Sequence, residues 1–261
     1  MTTANRFLKP FLTMSGLGLL GVFSLVPTLD QGIAQLRRMP GAPDLPDSSL
    51  VTLLLVQPTL LLLVAVALGV ALAEKAGLTS LILRRIRWNQ GSPTAGGWGS
   101  TLALAALFAS IVAAADLLFR SAFPQAFAGL PRLDDVSLSG CLLGLLYGGI
   151  TEELMMRFGL MTLLLWLGLR LTGGRGRSLL AWLAISLSAL AFAAGHLGAL
   201  MAAAQPAQEI LVLRTLILNG ILGLLFGWLY ACRSLEHAML AHAASHVVFW
   251  IATPLLVAFG F

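Results

Sequence analysis

Residues 136–169 read VSLSGCLLGLLYGGITEELMMRFGLMTLLLWLGL, and only Glu152, Glu153 and Arg157 carry a charge in this stretch. A membrane-spanning helix needs about 20 predominantly apolar residues to cross about 30 Å of hydrocarbon. The stretch is therefore long enough for one membrane helix, and it is longer than a single crossing requires. Because it contains glycines at positions 148, 149 and 159, we expect one long or broken helix with a kink near these positions.

Six further stretches of the chain are charge-free and of comparable length. They are residues 11–29, 50–73, 99–115, 178–208, 215–232 and 238–261. The chain is 58% hydrophobic and 10% charged, whereas soluble domains are about 45–50% apolar and about 25% charged. This composition excludes a soluble enzyme, a DNA-binding module and a disordered regulator. We predict an all-α, polytopic membrane helix bundle of about seven transmembrane helices, with residues 1–261 forming a single integral-membrane domain.

The charges predict the orientation of the bundle. The net charge is +5, but the basic residues lie in loops between apolar runs, which indicates topology and no nucleic-acid partner. With the N-terminus inside, ten Lys and Arg residues fall on the cytoplasmic side and four outside, so we predict a cytoplasmic N-terminus. The composition suggests a bacterial inner-membrane protein. The external loop 30–49, with Pro40, Pro43 and Pro46, is predicted to be a turn-rich linker.

The three charged residues within residues 136–169 are the first candidates for function. Ionisable residues inside a membrane are costly and are functional by default. On an α-helix, Glu153 and Arg157 are i,i+4 with the glutamate first, the order that favours an ion pair. Glu152 lies about 140° around the helix from Arg157, at about 100° per residue, and stays free for chemistry. The structural alternative is a buried polar clamp that only holds helices together.

All histidines of the chain lie in its last 66 residues: His196, His237, His242 and His246. His196 follows Phe192 by four positions, so the two side chains share a helical face. A lone histidine there would more simply be bonded to a backbone carbonyl. His242 and His246 are also four positions apart, which places them on one face of the seventh helix. The estimated membrane depths of Glu152, His196 and His246 permit a shared site.

Three motifs in this order resemble those of the CPBP family (also called Abi). Glu152-Glu153-Leu154-Met155-Met156-Arg157 matches EExxxR, Phe192-Ala193-Ala194-Gly195-His196 matches FxxxH, and His242-Ala243-Ala244-Ser245-His246 resembles HxxxN with its last residue altered. These proteins are intramembrane proteases that include the CAAX prenyl endopeptidases and bacteriocin-linked bacterial members. The segment 219–228 is similar to the family helix before the third motif. We expect residues 137–251 to form a CPBP-like catalytic core.

The resemblance implies a role for each motif residue. Glu152 and His196 would activate a water molecule, Glu153 and Arg157 would support the site, and His242 would stabilise the oxyanion. His246 stands where the family has Asn, and it donates a hydrogen bond only in one tautomer or when protonated. The implied activity is an intramembrane endopeptidase without a cofactor, in which His242, alone or with His246, stabilises the oxyanion. Its substrate would be a membrane-associated peptide, either prenylated or of bacteriocin type.

Two alternatives stay open. In the first, the chain is a zinc-dependent intramembrane metalloprotease, with His196, His242 and His246 as ligands and Glu152 as the base. In the second, it is a non-catalytic membrane protein, such as an immunity or scaffold protein, that uses the same polar cluster for helix association.

Overall fold

The computed structural model describes residues 3–38, 41, 44–89, 96–204 and 208–260, which are predominantly helical and contain no β-strand. The α-helices are α1 (Thr3–Phe23), α2 (Leu29–Arg38), α3 (Asp47–Leu72), α4 (Leu81–Trp88), α5 (Trp98–Ala122), α6 (Leu138–Leu142), α7 (Thr162–Leu171), α8 (Arg177–Gly195), α9 (Leu197–Ala203), α10 (Glu209–Cys232) and α11 (Leu235–Ala258). The predicted all-α fold class is thus confirmed.

Seven helical segments in this part of the chain are long and apolar enough to cross a membrane. They are residues 6–38, 47–72, 98–122, 138–171, 177–203, 209–232 and 235–258. Many large apolar side chains on these segments, such as Leu60, Leu107 and Leu190, are more than half exposed. Since exposed apolar area of this extent is unfavourable in water but favourable against lipid, the chain is an integral membrane protein.

The fourth span is a continuous helix whose middle part is wound with π-helical turns. These turns comprise Leu143–Glu152 and Leu154–Met161, which we call the π-helical stretch. The irregularity expected near Gly148, Gly149 and Gly159 therefore takes the form of a widened helix that passes through all three glycines. Segments of π-helix are rare, and they are frequently found at functional sites.

The π-helical stretch lies at the centre of the bundle because small residues let neighbouring helices approach it closely. A Cβ atom at Gly149 would lie 2.8 Å from the Cβ of Ala243 on α11, and one at Gly159 would lie 2.5 Å from the Cβ of Ala65 on α3. Close contact through small residues is the usual way in which membrane helices associate. The stretch also packs against α1, α8 and α10, so side chains from several spans surround it.

Residues 30–49 differ from the prediction of a turn-rich linker. Residues up to Arg38 form helix α2 at the end of the first span, with Asp30 in its first turn and Arg37 and Arg38 in its last, as the helix dipole favours. The Nη2 atom of Arg37 lies 2.5 Å from the Oδ1 of Asp47, which ties the end of α2 to the start of α3. Pro40 and Pro43 lie outside the described residues.

The fifth span is interrupted close to its end. Helix α8 ends at Gly195, and α9 begins at Leu197, so His196 lies at the junction between the two helices. Helix α10 then packs along α8, and α11 packs along α5. This arrangement leaves a cavity between the π-helical stretch, α5, α9, α10 and α11, and the cavity contains the candidate site.

Candidate active site

The predicted ion pair between Glu153 and Arg157 is present in the fourth span. The Nε atom of Arg157 lies 3.3 Å from the Oε2 of Glu153, and neither side chain is exposed. The Nη2 of Arg157 donates a hydrogen bond to the carbonyl oxygen of Gly223 on α10, over 2.9 Å. Its guanidinium lies 4.7 Å from the ring centre of Phe192 and 5.6 Å from that of Phe226, distances that allow cation–π attraction.

His242 on α11 connects the two glutamates. Its Nδ1 donates a hydrogen bond to the Oε1 of Glu153 over 2.9 Å, and its Nε2 lies 3.9 Å from the Oε2 of Glu152. Glu153 thus holds Arg157 with one oxygen and His242 with the other. The hydrogen bond from Nδ1 to a carboxylate fixes the tautomer of a neutral ring and directs its Nε2 toward Glu152. The motif pattern alone assigns Glu153 only to Arg157.

Aromatic rings fix the positions of His196, at the end of α8, and of His242 on α11. The ring of His242 stacks on Phe226 at 4.5 Å, and Phe192 meets it edge-on at 5.5 Å. Phe192 also meets the ring of His196 at 4.7 Å. The phenylalanine of the second motif therefore packs against both histidines and against the buried arginine, which explains how it can position the site.

His196 faces the same cavity as Glu152 and is partly exposed. Its Nδ1 donates a hydrogen bond to the carbonyl oxygen of Phe192 over 2.9 Å, so a neutral ring carries its lone pair on Nε2. The bond to a backbone carbonyl, which was the simpler interpretation of this histidine, is therefore present. It leaves the second nitrogen available. In the described residues, no direct hydrogen bond joins His196 to Glu152, so a molecule between them would have to connect the two.

His246 also lines the cavity, and two glycines make room for it. A Cβ atom at Gly144 would lie 2.8 Å from the Nδ1 of His246, and one at Gly148 would lie 2.9 Å from its Nε2 and 3.2 Å from the Nε2 of His242. Only a residue without a Cβ fits these positions unless the imidazoles move. Neither Gly144 nor Gly148 was predicted to have a site role, although Gly144, Gly148 and Glu152 follow one another at intervals of four residues.

The cavity has a volume of about 600 Å³ and is lined mostly by apolar side chains. Glu152, His196 and His246 lie at its wall, and the side chain of Glu152 is 20% exposed. His242 is only 4% exposed and is placed behind this wall. A largely apolar cavity with a few polar groups is typical of a small-molecule or peptide site.

His237, the fourth histidine, lies apart from this cavity. Its Nε2 donates to the carbonyl oxygen of Gly96 over 3.1 Å, and its Nδ1 is 2.8 Å from the hydroxyl of Ser234. Its ring stacks on Trp98 at 4.0 Å. Because both nitrogens already have partners and the ring is fully buried, His237 has a structural role.

The zinc alternative requires the nitrogen atoms of His196, His242 and His246 to lie close to one another. Among the described residues, no three His, Cys, Asp or Glu side chains are gathered closely enough to hold a metal ion. His242 uses Nδ1 for Glu153, and His196 uses Nδ1 for a carbonyl oxygen, so each could offer only Nε2. Hydrogen bonds of this kind are also made by metal-binding histidines, so the zinc site formed by His196, His242 and His246 remains an alternative hypothesis.

These observations define the class of protein: a helical integral membrane protein with glutamate and histidine side chains gathered at an internal cavity. Residues 134–248 match the family model of the type II CAAX prenyl endopeptidase Rce1-like proteins. The resemblance to the CPBP family is thereby confirmed, over a segment that contains all three motifs but less than half of the chain. No curated protein matches the chain, and no solved structure does. The family implies a protease.

Proposed function

We propose that this protein is an intramembrane endopeptidase that hydrolyses a peptide bond of a membrane-associated peptide. The observation that carries the proposal is that Glu152, His196 and His246, which come from three spans, line one cavity, with His242 3.9 Å from Glu152. The name of the matched family supports prenylated CAAX peptides as substrates. A bacteriocin-type peptide is the second substrate class that we consider.

Glu152 is the proposed base. In this mechanism the oxygen of a water molecule bonds to the carbonyl carbon of the substrate, and its proton passes to the carboxylate of Glu152. His196 holds the same water through Nε2, since its Nδ1 is engaged by Phe192. The proton then goes to the nitrogen of the leaving amine as the carbon–nitrogen bond breaks. Glu153 and Arg157 neutralise each other, so Arg157 does not compete for Glu152.

His242 is the proposed oxyanion donor, with His246 as a second donor beside it. Because the Nδ1–H of His242 is bonded to Glu153, its Nε2 can donate only when the ring is protonated, and the carboxylate of Glu153 faces the ring that would carry this charge. An oxyanion donor contributes about 2.7–4 kcal/mol to transition-state stabilisation in other proteases. Glu153 would therefore act as a positioning residue for His242.

The first experiment removes the base and its partner. We expect Glu152→Gln and His196→Ala to reduce the cleavage of an internally quenched prenylated CAAX peptide by at least about 100-fold, because general-base catalysis contributes about 10²–10⁴-fold. The matched control is Glu209→Gln, which makes the same change at an exposed position in the first turn of α10. Near-normal turnover in either active-site variant would contradict the proposal.

Metal analysis of the same purified protein tests the zinc alternative. We expect less than stoichiometric zinc and cleavage that survives chelation, because the ligand set is not gathered in the described residues. Stoichiometric zinc that is lost together with activity would favour the metalloprotease instead.

We also propose the bacterial inner membrane as the location, with the N-terminus in the cytoplasm. Loops that the charge count assigns to the cytoplasm meet at one end of the bundle. Arg177 donates to the carbonyl oxygen of Gly77 over 3.2 Å, and Arg233 donates to that of Gly97 over 2.8 Å. This grouping of basic residues at one end supports the orientation. Reporter fusions at the two termini would test it, and a cytoplasmic C-terminal reporter would contradict it.

A further inference from the structure

A second charged cluster lies at the end of the cavity away from the glutamates. Asp116 on α5 is fully buried, and its Oδ2 accepts a hydrogen bond from the Nε of Arg120 over 2.9 Å. Its Oδ1 accepts a hydrogen bond from the Nε of Arg214 on α10 over 2.7 Å and another from the Nη2 of the same side chain. None of these residues belongs to the three motifs, but Arg120 and Arg214 both line the cavity.

The cluster has a net charge of +1, because two arginines share one aspartate. The other two nitrogens of Arg120 donate hydrogen bonds to backbone carbonyl oxygens: Nη1 to that of Leu130 over 3.1 Å, and Nη2 to that of Pro131. Within the described residues, the Nη1 of Arg214 has no such partner, and the side chain is 18% exposed. The uncompensated charge at this end of the cavity therefore belongs to Arg214.

Arg132 lies on the same wall but is compensated. Its Nε and Nη2 donate to the two oxygens of Asp134 over 3.0 and 2.9 Å, and its side chain is 45% exposed. The hydrogen bond that Arg132 donates to Asp134 raises the pKa of Arg132 above its usual value, with the charge of Asp134 as the second cause. Arg132 therefore offers a matched comparison for Arg214: it is an arginine at the same cavity whose charge is already paired.

The two ends of the cavity have opposite charge and are close enough for one peptide to reach both. Gly223, which binds Arg157 beside the glutamates, lies nine residues after Arg214 on α10. At about 1.5 Å per residue, the two positions are about 13 Å apart along the helix. A carboxylate in this cavity would be repelled from Glu152 and attracted to Arg214. A guanidinium presents a fork of donors that matches a carboxylate.

We propose that Arg214, held in place by Asp116, recognises the C-terminal carboxylate of the peptide substrate. This inference rests on the proposed function and adds to it the group that orients the peptide. The end of the peptide binds at Arg214, so the preceding residues extend toward Glu152 and His196. Asp116 is a positioning residue, because it directs one edge of the guanidinium away from the cavity and leaves the other edge free.

The test compares two versions of one internally quenched prenylated CAAX peptide, one with a free C-terminal carboxylate and one with a C-terminal amide. The full chain is assayed in lipid nanodiscs. We expect a kcat/KM at least about tenfold higher for the acid than for the amide, because only the acid carries the charge that a guanidinium binds through two parallel hydrogen bonds. The difference should lie mainly in KM. In Arg214→Gln the acid should fall to the rate of the amide, while the amide changes by less than about twofold.

The amide peptide reports the fold of each variant, since its cleavage does not use Arg214. Arg214→Lys should retain part of the preference for the acid, because it keeps the charge but loses the fork. Arg132→Gln should leave the preference intact. Equal cleavage of acid and amide by the unmodified protein would overturn the inference, as would an equal loss of both in Arg214→Gln or the same effect in Arg132→Gln. If neither peptide is cleaved, or Glu152→Gln cleaves both normally, the proposed function itself fails.

Discussion

The two charged clusters of this protein each contain a buried carboxylate, but they differ in whether its positively charged partners are buried or exposed to the cavity. In the first, Glu153 is enclosed by Arg157 and His242, and all three side chains are buried. In the second, Asp116 is equally buried, but the two arginines around it are 16% and 18% exposed and line the cavity. The first cluster is closed around its charges, whereas the second presents an excess charge to the cavity.

This difference shows how one cavity can be negatively charged at one end and positively charged at the other. At one end, Glu152 adds a negative charge that Arg157 does not neutralise, because Arg157 is engaged with Glu153. At the other end, Arg120 and Arg214 share the single carboxylate of Asp116, so one positive charge is left over and lies on Arg214. In an apolar cavity such charges act over longer distances than in water. The closed cluster is thus expected to matter most for stability and the open cluster for recognition.

The largest effect on stability is expected at the closed cluster. Arg157→Ala removes the guanidinium from a buried carboxylate, and breaking a buried ion pair in this way costs about 3–5 kcal/mol. The free energy of unfolding, measured by denaturant titration in micelles, should fall by that amount. Arg175→Ala is the control, since Arg175 is exposed between α7 and α8 and should change stability by less than about 0.5 kcal/mol. Equal stability of the two variants would show that the ion pair does not hold the bundle.

Comparing Arg157→Ala with Glu152→Gln also tests the alternative that the protein is non-catalytic. If Arg157→Ala unfolds the protein while Glu152→Gln leaves peptide cleavage intact, the polar cluster is a structural clamp. We expect the opposite for Glu152→Gln, namely a folded protein that has lost cleavage, because the side chain of Glu152 is 20% exposed to the cavity and is not part of the ion pair.

A smaller effect on stability is expected at the open cluster. Asp116→Asn leaves Arg120 and Arg214 facing each other without a shared carboxylate, and the loss of charged hydrogen bonds should cost about 1.5–3 kcal/mol in the free energy of unfolding. The control Asp30→Asn lies at an exposed position in the first turn of α2 and should cost less than about 1 kcal/mol, the contribution of its interaction with the helix dipole. Adding Arg214→Gln should recover part of the loss, which a double-mutant cycle measures. If it recovers nothing, the two arginines do not repel each other.

The smallest effect on stability is expected at Gly148, where the loss should appear in activity. In Gly148→Ala the new Cβ would press on the imidazoles of His246 and His242 and displace them. Overpacking costs about 1–3 kcal/mol, and we expect the lower end here because the new Cβ meets only the ends of side chains. A displacement of about 1 Å can nevertheless reduce the rate about 100-fold. Gly220→Ala is the matched control on α10, because nothing lies within 4 Å of its added Cβ. If both variants cleave peptide equally well, the imidazole positions are not critical.

The seven spans could be predicted because the requirement for about 20 apolar residues leaves a clear pattern in the sequence. The ion pair between Glu153 and Arg157 could also be predicted, since it depends only on local spacing. Helix α2 was missed, because an amphipathic helix of ten residues lies among the charges and prolines of a connecting region. The π-helical turns were expected only as a kink, because patterns of helical spacing assume α-helical hydrogen bonding.

The remaining features depend on contacts between distant parts of the chain. The hydrogen bond from His242 to Glu153 joins positions 89 residues apart, and the pairing of Asp116 with Arg214 joins positions 98 residues apart. Asp116 could be noted in the sequence as an acidic residue near the end of a span. Nothing in its neighbourhood identified Arg214 as its partner, because helix packing determines which ends of α5 and α10 meet.

The burial of Arg157 also constrains how the protein is made. A helix that carries Glu152, Glu153 and Arg157 is a poor candidate for release into lipid on its own, because its charges would meet hydrocarbon before their partners arrive. Those partners, Phe192, Gly223 and His242, are all synthesised later. The fourth span should therefore wait in a protected environment during biogenesis until the last helix has emerged. Assembly of the candidate site and completion of membrane integration would then be the same event.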